Sequence, residues 1–112
     1  MSTQTEPQFL YLNTLGWKTG KKHKIEIWFV EQAGKYYIVS ERKHKAHWVQ
    51  NILVNPQILF SVGNASFRGT ARIVDQEKEF SLAAQISTLM NEKYGWSNGV
   101  FVELANSFQL PK

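Results

Sequence analysis

Hydrophobic and polar residues alternate along much of this chain, which is the pattern of a β-strand with one buried face. The clearest case is residues 23–31, HKIEIWFVE, where Ile25, Ile27 and Phe29 share one face. A strand has a side-chain period of two, so these three residues are predicted to face the core. Trp28 lies on the opposite face among charged residues, and we expect it to border a ligand, a partner or water.

Five other segments have strand character, and several neighbours are joined by tight turns. The six predicted strands are residues 9–14, 23–31, 35–41, 58–62, 66–74 and 100–104. Gly34 is expected at a hairpin position that needs positive φ, and Gly63 lies in the turn of a second hairpin. Gly69 lies inside a predicted strand, where glycine indicates a β-bulge or a close approach of two backbones.

Two segments carry apolar residues at helical spacing. The first covers residues 45–54 and ends before Pro56, because the residue that precedes a proline disfavours the α region. The second covers about residues 76–94, with Asp75 as its N-cap and Gly95 at its end. Its predicted apolar side consists of Phe80, Ala83, Ile86, Leu89, Met90 and Lys93 or Tyr94. The second segment is therefore predicted to be an amphipathic helix.

The order of elements, β-β-β-α-β-β-α-β, makes the fold class mainly β (α+β). Tight hairpins and the absence of a βαβ pattern indicate antiparallel pairing. Six antiparallel strands leave an open edge unless they curl, so we predict a small, partly open six-stranded barrel with two flanking helices. Residues 1–8 are expected to form a flexible arm and residues 9–112 a single domain, which is the domain count that this length favours.

Composition excludes several classes of protein. The chain has no cysteine, so disulfides, thiolate metal sites and a cysteine nucleophile are ruled out. Its first residues are polar, unlike a signal peptide, and no stretch approaches the roughly 18 apolar residues of a membrane span. No serine lies in the setting of a nucleophile elbow, so no catalytic triad is predicted. We therefore expect a soluble, cytoplasmic protein.

The net charge of +4 is concentrated in two short segments. Residues 18–24 hold four lysines and residues 42–45 hold three cationic side chains, together seven of the 13 in the chain. Two such basic loops indicate one anionic ligand that is bound from two sides. In the first loop, Gly16, Thr19 and Gly20 add accessible backbone N–H groups and a hydroxyl, which suit a phosphate or carboxylate.

The basic loops have other interpretations. The first is not a Walker loop, because three residues rather than four separate its glycines and a strand follows it. A solvated lysine-rich hairpin is one alternative, and a single-stranded nucleic-acid binder is another, since tryptophans lie beside the lysines. Scattered acidic residues and the missing RNA-binding signature argue against the latter. His23, His44 and His47 match no zinc signature and lie among lysines, so no metal is predicted.

Several short motifs follow one another in a specific order. They are L-x-T-x-G-x-K-[ST]-G at Leu12 to Gly20, V-x-S ending at Ser40, A-H-W-V-Q-N at Ala46 to Asn51, N-P at Asn55-Pro56, G-T-A-R at Gly69 to Arg72 and K-Y-G-W at Lys93 to Trp96. Together, over residues 9–104, they resemble the deazaflavin-dependent nitroreductase and quinone reductase family. That family belongs to the flavin-binding split β-barrels related to pyridoxamine phosphate oxidases, so the resemblance implies the same barrel that the periodicity predicts.

The resemblance also implies a cofactor and an activity. The two basic loops would embrace the phosphate and acidic tail of a deazaflavin (coenzyme F420) or of FMN. The implied cofactor contacts are Lys18, Thr19, Gly20 and Lys22 from the first loop, and Ser40, Arg42, Lys45, Trp48 and Asn51 from the second loop and its flanks. The implied enzyme is a homodimer that passes hydride between the cofactor and a quinone or nitro compound, and the cofactor supplies the chemistry. The alternatives are a binder of the same cofactors without turnover and, after it, the nucleic-acid binder.

The chain departs from the family pattern in three respects. Trp17 replaces the usual basic residue before Lys18, and residues 41–44, Glu-Arg-Lys-His, replace a glycine-rich segment. The longer N-terminal helix of some members is missing. These differences leave the choice between F420 and FMN open and leave the substrate pocket undefined.

Overall fold

Six strands close into one antiparallel barrel. The computed structural model describes residues 9–15, 22–41 and 47–110. The strands are β1 (Phe9–Leu15), β2 (Lys22–Gln32), β3 (Lys35–Ser40), β4 (Gln57–Val62), β5 (Ala65–Ile73) and β6 (Val100–Leu110). They pair in the order β1-β2-β3-β6-β5-β4, and β4 pairs with β1. The predicted six-stranded antiparallel fold is confirmed, although the barrel is closed rather than partly open, because the β1–β4 ladder removes the open edge.

Two helices accompany the barrel in the described part of the chain, as predicted. They are α1 (His47–Val54) and α2 (Phe80–Tyr94). Neither helix is long and apolar enough to cross a membrane. α1 places Ile52 in the barrel core and packs Trp48 against that core. α2 packs on the outside of the barrel against β2.

β2 pairs with two different strands. Its first part pairs with β1 as far as the pair Trp28–Phe9, and its last part pairs with β3 from the pair Phe29–Ile38 onwards. The strand therefore changes partner between Trp28 and Phe29. In this way a single strand joins the β1–β4 side of the barrel to the β3–β6 side.

The barrel interior holds the larger of two hydrophobic cores. Its buried members are Leu10, Leu12, Phe29, Ile38, Ile52, Ile58, Phe60, Phe67, Ala71, Val100, Val102 and Leu104. The alternating pattern of β2 agrees with this arrangement, since Phe29 is buried and Ile25 and Ile27 pack against the core from partly buried positions. The predicted core face of β2 is confirmed.

The second core lies between α2 and the outer face of the barrel. Its buried members are Val30, Tyr37, Val39, Val74, Ala83, Ile86, Met90 and Phe101. Trp28 packs at its edge, where its ring lies 4.5 Å from the ring of Tyr94 and nearly parallel to it. The main neighbour of Trp28 is therefore α2 itself, which the pattern of a single strand could not indicate.

α2 begins at Phe80 rather than near Gln76, where the sequence predicts its start. The Asp75 carboxylate accepts hydrogen bonds of 3.1 Å from the N–H groups of Glu77 and Lys78. Asp75 thus caps a separate turn that precedes the helix, instead of capping α2. Phe80 consequently stands at the start of the helix and is 72% exposed, so its predicted place on the apolar side is wrong.

Glycines with positive φ lie in both predicted hairpin turns, where Gly63 has a φ of 60°, and at the predicted end of α2. Gly34 (φ 81°) and Ala33 (φ 53°) form the two-residue turn between β2 and β3. Gly95 (φ 73°) ends α2, and its N–H bonds to the carbonyl of Asn91. These predictions are confirmed.

β6 extends to Leu110, beyond its predicted end at Leu104, and its ladder with β5 is irregular. The pairing register shifts between Arg68 and Gly69, because Arg68 pairs with Phe108 and Gly69 pairs with Asn106. The predicted irregularity therefore lies beside the glycine, but the extra residue is on β6 and not on the strand that contains Gly69. A Cβ atom on Gly69 would collide with the backbone carbonyl oxygen of Ala105. The glycine therefore also permits the predicted close approach of two backbones.

The Tyr94 side chain connects the C-terminal end of α2 to the backbone of β2 through hydrogen bonds. Its hydroxyl donates a 2.8 Å hydrogen bond to the Phe29 carbonyl and accepts a 3.0 Å bond from the Phe29 N–H. Lys93 donates to the same carbonyl over 3.1 Å. These side chains satisfy backbone groups at the point where β2 changes partner.

We expect Tyr94→Phe to lower the free energy of unfolding by about 1–2 kcal/mol, because the partly buried Phe29 N–H loses its acceptor. Urea denaturation measures this loss, and amide exchange at Phe29 should become faster. Tyr11→Phe is the control. Its hydroxyl donates to Glu26 at the exposed surface, so its stability should stay near that of the wild type. Equal losses in the two variants would contradict the role assigned to Tyr94.

Candidate functional site

A buried hydrogen bond connects two residues that lie beside the two basic loops, Thr14 before the first loop and Asn51 after the second. The Asn51 amide Nδ2 donates to Thr14 Oγ1 over 2.9 Å, and both residues are 2% exposed. Thr14 is near the end of β1, where the first loop begins. Asn51 lies about one helical turn, roughly 6 Å along the axis, after His47, where the second loop ends and α1 begins. The roots of the two loops are therefore held close to each other.

Three of the nine predicted cofactor contacts have described side chains. They are Ser40, Trp48 and Asn51. The others lie outside the described residues: Lys18, Thr19, Gly20, Arg42 and Lys45, together with the side chain of Lys22, whose backbone begins β2. Their contact with a cofactor stays a prediction.

Ser40 ends β3 directly before the second basic loop. It is 2% exposed and pairs with Val100 of β6. Gly99 lies against its backbone, at a φ of 156°, and a Cβ atom there would collide with the Ser40 carbonyl oxygen. The close approach of Gly99 fixes Ser40 from the β6 side. Its contact with a cofactor stays a prediction.

Trp48 and the start of α1 follow the second basic loop in the chain. Trp48 is only partly buried, with its ring packed against the barrel core. The first turn of α1 carries no acidic residue. The positive end of the helix dipole is therefore not neutralised there, which favours an anion beside the second basic loop.

A row of polar side chains that the sequence analysis missed crosses the outer face of the barrel. Tyr37, Glu103 and Arg72 are direct neighbours on β3, β6 and β5. The Glu103 carboxylate is nearly buried and accepts hydrogen bonds from the Tyr37 hydroxyl (2.9 Å) and from Arg72 Nε (3.1 Å). Arg72 also donates two bonds, of 2.8 and 2.9 Å, to Glu79 at the start of α2. A carboxylate within the apolar strand VFVEL is the signal that could have indicated this row.

The environment of this row fixes the protonation of its members. Burial, with the hydrogen bond to Glu103, raises the pKa of Tyr37 to about 12. Burial alone would raise the pKa of Glu103, but hydrogen bonds from Arg72 and Tyr37 outweigh it and lower that pKa. Hydrogen bonds from Arg72 lower the pKa of Glu79 to about 2. None of these groups exchanges a proton near pH 7, so the row ties α2 to the barrel and is unsuited to acid–base catalysis.

Among the side chains that the structure describes, no three histidine, aspartate or glutamate residues lie together as a metal site would require. The side chains of His23 and His44 lie outside the described part. The expectation of no metal therefore stays a prediction.

Solved structures place this barrel in a known class of folds. HutZ, the heme storage protein from Vibrio cholerae, superposes with a TM-score of 0.76 and 20% identity over 92% of this chain and 84% of that one. A structure described as an F420 reductase gives 0.68 and 19%, over 94% and 90%. A FAD-binding protein from Mesorhizobium loti gives 0.72 and 13%, over 91% and 83%. At these identities the likeness shows the split-barrel fold alone.

The sequence, unlike the structural likeness, identifies the family to which the chain belongs. The profile of the F420H2-dependent quinone reductases matches residues 2–98. The chain therefore belongs to this family, and the family resemblance of its motifs is confirmed. No curated protein matches the chain.

Proposed function

We propose that this protein is an oxidoreductase that uses coenzyme F420 to reduce an electron-poor small molecule, a quinone or a nitro compound. Family membership supports the deazaflavin and the small-molecule substrate. The single observation that carries the proposal is the buried Asn51–Thr14 hydrogen bond. It brings together the roots of the two loops that hold seven of the 13 cationic side chains, as one anionic cofactor requires.

The residues of the chain fit such a cofactor. Lys18, Thr19, Gly20, Lys22, Arg42 and Lys45 would hold its phosphate and acidic tail, and Trp48 would lie beside them at the start of α1. Ser40 and Asn51, both buried, would hold the loops in place. When bound, the deazaflavin supplies the hydride chemistry, while the protein binds, orients and shields.

FMN is the alternative cofactor, because the phosphate-binding residues would serve it equally and a FAD-binding protein shares the fold. A homodimer also remains a proposal. It is supported by Phe9 and Tyr11, which lie two residues apart on β1 and are 38% and 40% exposed.

The cofactor assignment is tested by fluorescence titration with F420 and, separately, with FMN. We expect saturable binding of F420 that weakens as salt is added, since the basic loops act through charge. Lys18→Ala and Arg42→Ala should each weaken binding about tenfold, because each removes a charge-assisted hydrogen bond worth about 1.5–3 kcal/mol, of which water recovers part. Lys78→Ala removes an exposed lysine that lies outside both loops and should leave affinity unchanged. If all three substitutions weaken cofactor binding equally, the result would count against specific binding of the cofactor by the two loops.

Turnover is tested by the reoxidation of reduced F420 with menadione or a nitroaromatic. An acceleration above the protein-free rate supports the enzyme. Binding without acceleration supports the second candidate, a protein that binds the cofactor without turnover, and the heme storage protein HutZ is a precedent on this fold. If the protein binds neither cofactor, the remaining alternative is the single-stranded nucleic-acid binder. Titration with a single-stranded oligonucleotide would then test it.

A further inference from the structure

Asn98 precedes a glycine in the short connection between α2 and β6. It is the one asparagine of the chain with this neighbour, since residues that carry a Cβ atom follow all the others. Residues 95–99 form neither helix nor strand, and Asn98 is exposed. Because glycine has no side chain, its backbone nitrogen approaches the amide of a preceding asparagine with little steric hindrance. The Asn98-Gly99 pair therefore suits a reaction between these two groups.

The fold requires the glycine of this pair but not the asparagine. A Cβ atom on Gly99 would collide with the Ser40 carbonyl oxygen and would lie 2.9 Å from Val39 Cγ1. The φ of 156° at Gly99 is also one that residues with a side chain rarely adopt. Asn98, by contrast, points to an exposed position where many residues would be tolerated. A substitution that removes the pair without disturbing the fold must therefore be made at Asn98.

The chain is held on both sides of Asn98. On one side, the Ser97 hydroxyl shares a 3.0 Å hydrogen bond with the hydroxyl of Ser87 on α2. On the other side, Gln76 Nε2 donates a 3.0 Å hydrogen bond to the Gly99 carbonyl. Any lengthening of the backbone between these two anchors would have to displace one of them.

We propose that Asn98 is a site of spontaneous deamidation, which converts it into a mixture of aspartate and isoaspartate. The Gly99 nitrogen bonds to the Asn98 Cγ atom and the Cγ–Nδ2 bond breaks. The amide NH2 leaves as ammonia with the proton of the Gly99 N–H, and a succinimide ring remains. Water then opens the ring at either carbonyl, which gives aspartate or isoaspartate. The reaction needs no oxidant, reductant or enzyme, and it does not depend on the proposed function.

The two products are expected to affect the fold differently. Aspartate adds a charge at an exposed position and should leave the stability near that of the wild type. In isoaspartate the main chain runs through Cγ and is one atom longer. The hydrogen bond of Ser97 or the contact of Gly99 with Ser40 would then have to move. We therefore expect amide exchange at the start of β6 to be faster in the isoaspartate form.

The test is to age the folded, purified protein in mildly alkaline buffer and to analyse its tryptic peptides by mass spectrometry. Cleavage after Lys93 gives one peptide that contains both Asn98 and Asn106. Asn106 is the internal control, because it is also exposed but precedes Ser107. Fragmentation locates each conversion of amide to acid, and an isoaspartate methyltransferase labels the isoaspartate. We expect the converted fraction at Asn98 to exceed that at Asn106 about tenfold, since Ser107 carries a Cβ atom.

Two variants complete the test. Asn98→Gln keeps an amide but would need a larger ring, so position 98 should stay unconverted. Asn98→Asp reproduces one product and, when freshly purified, should unfold at the same urea concentration as the unaged wild type. The isoaspartate fraction of the aged wild type, separated by ion exchange, should unfold at a lower urea concentration, because it alone contains the longer backbone.

Three results would count against these expectations. Equal conversion of Asn98 and Asn106 in the folded protein would overturn the proposed site. Conversion of Asn98 in urea-denatured protein alone would also overturn it, because the fold would then keep the two reacting groups apart. If the isoaspartate fraction unfolds like Asn98→Asp, the predicted strain between the anchors on either side of Asn98 is wrong.

Discussion

Gly69→Ala is expected to destabilise the barrel by about 3 kcal/mol, at the upper end of the cost of inserting one methyl group into a packed interior. The new Cβ atom would lie against the backbone of β6, colliding with the Ala105 carbonyl oxygen and lying 3.1 Å from the Asn106 Cα atom. Backbone in a ladder cannot rotate away as a side chain can. The register shift beside Gly69 would have to move, or the two strands would have to separate.

Gly34→Ala is the matched control, since it adds the same methyl group where nothing lies within 4 Å. Its cost comes from the positive φ of 81° and should be about 1 kcal/mol. Urea denaturation of both variants gives the comparison, and amide exchange along β5 and β6 should rise only in the Gly69 variant. If Gly69→Ala lowers the free energy of unfolding no more than Gly34→Ala does, then the backbone of β6 moves to accommodate the added methyl group.

Arg72→Met is expected to cost about 2 kcal/mol at pH 7. Breaking a buried ion pair typically costs about 3–5 kcal/mol, but Arg72 is itself 46% exposed and water takes over part of its role. The Glu103 carboxylate, only 7% exposed, would lose its closest cation and keep the Tyr37 hydroxyl as a donor. Lys35, at 3.6 Å, compensates only in part.

The loss in Arg72→Met should depend on pH in a direction that follows from Glu103. In the wild type the pKa of Glu103 is lowered, so the folded state binds its proton less tightly and stability falls as pH drops through the acid range. Without Arg72, burial dominates and raises this pKa above that of the unfolded chain, about 4.3. The variant then loses stability as pH rises. The deficit is therefore largest at neutral pH and shrinks toward pH 4.

Denaturation at pH 7 and pH 4.5 measures this difference, and Arg72→Met/Glu103→Gln is the control. Glutamine keeps an acceptor for the Tyr37 hydroxyl and carries no charge, so the double variant should recover stability at pH 7 and show a flatter dependence on pH. A deficit of the single variant that is equal at both pH values would mean that Glu103 is not held ionised by Arg72.

Local patterns were sufficient to predict most of the fold. The two-residue alternation that buries Phe29, and the turn that requires positive φ at Gly34, are set by near neighbours in the chain. The end of β6 was missed because the strand beyond Leu104 carries polar residues and a bulge, which disrupt the alternation. The start of α2 was misplaced because Asp75 is a good cap for a turn as well as for a helix.

The site was less predictable, because its geometry depends on contacts between distant segments. The charge of the two basic loops can be read from the sequence, but the hydrogen bond between Thr14 and Asn51 needs the folded barrel. The same is true of Glu103 and Arg72, which become neighbours only through the register of β5 and β6. A sequence gives the chemistry of such residues and leaves their partners undetermined.

The closure of the barrel has a consequence for the order in which the chain folds. The hairpins β1–β2, β2–β3 and β4–β5 join neighbouring segments, whereas the ladders β1–β4 and β3–β6 join residues as distant as Leu10 and Val62 or Tyr36 and Leu104. Such distant pairings form late and make folding slow. Because β1 leads into the first basic loop and α1 packs on the closed barrel, the proposed anion site would be complete only when these last ladders have formed. A bound anion should thus stabilise the native state against global unfolding rather than any early intermediate.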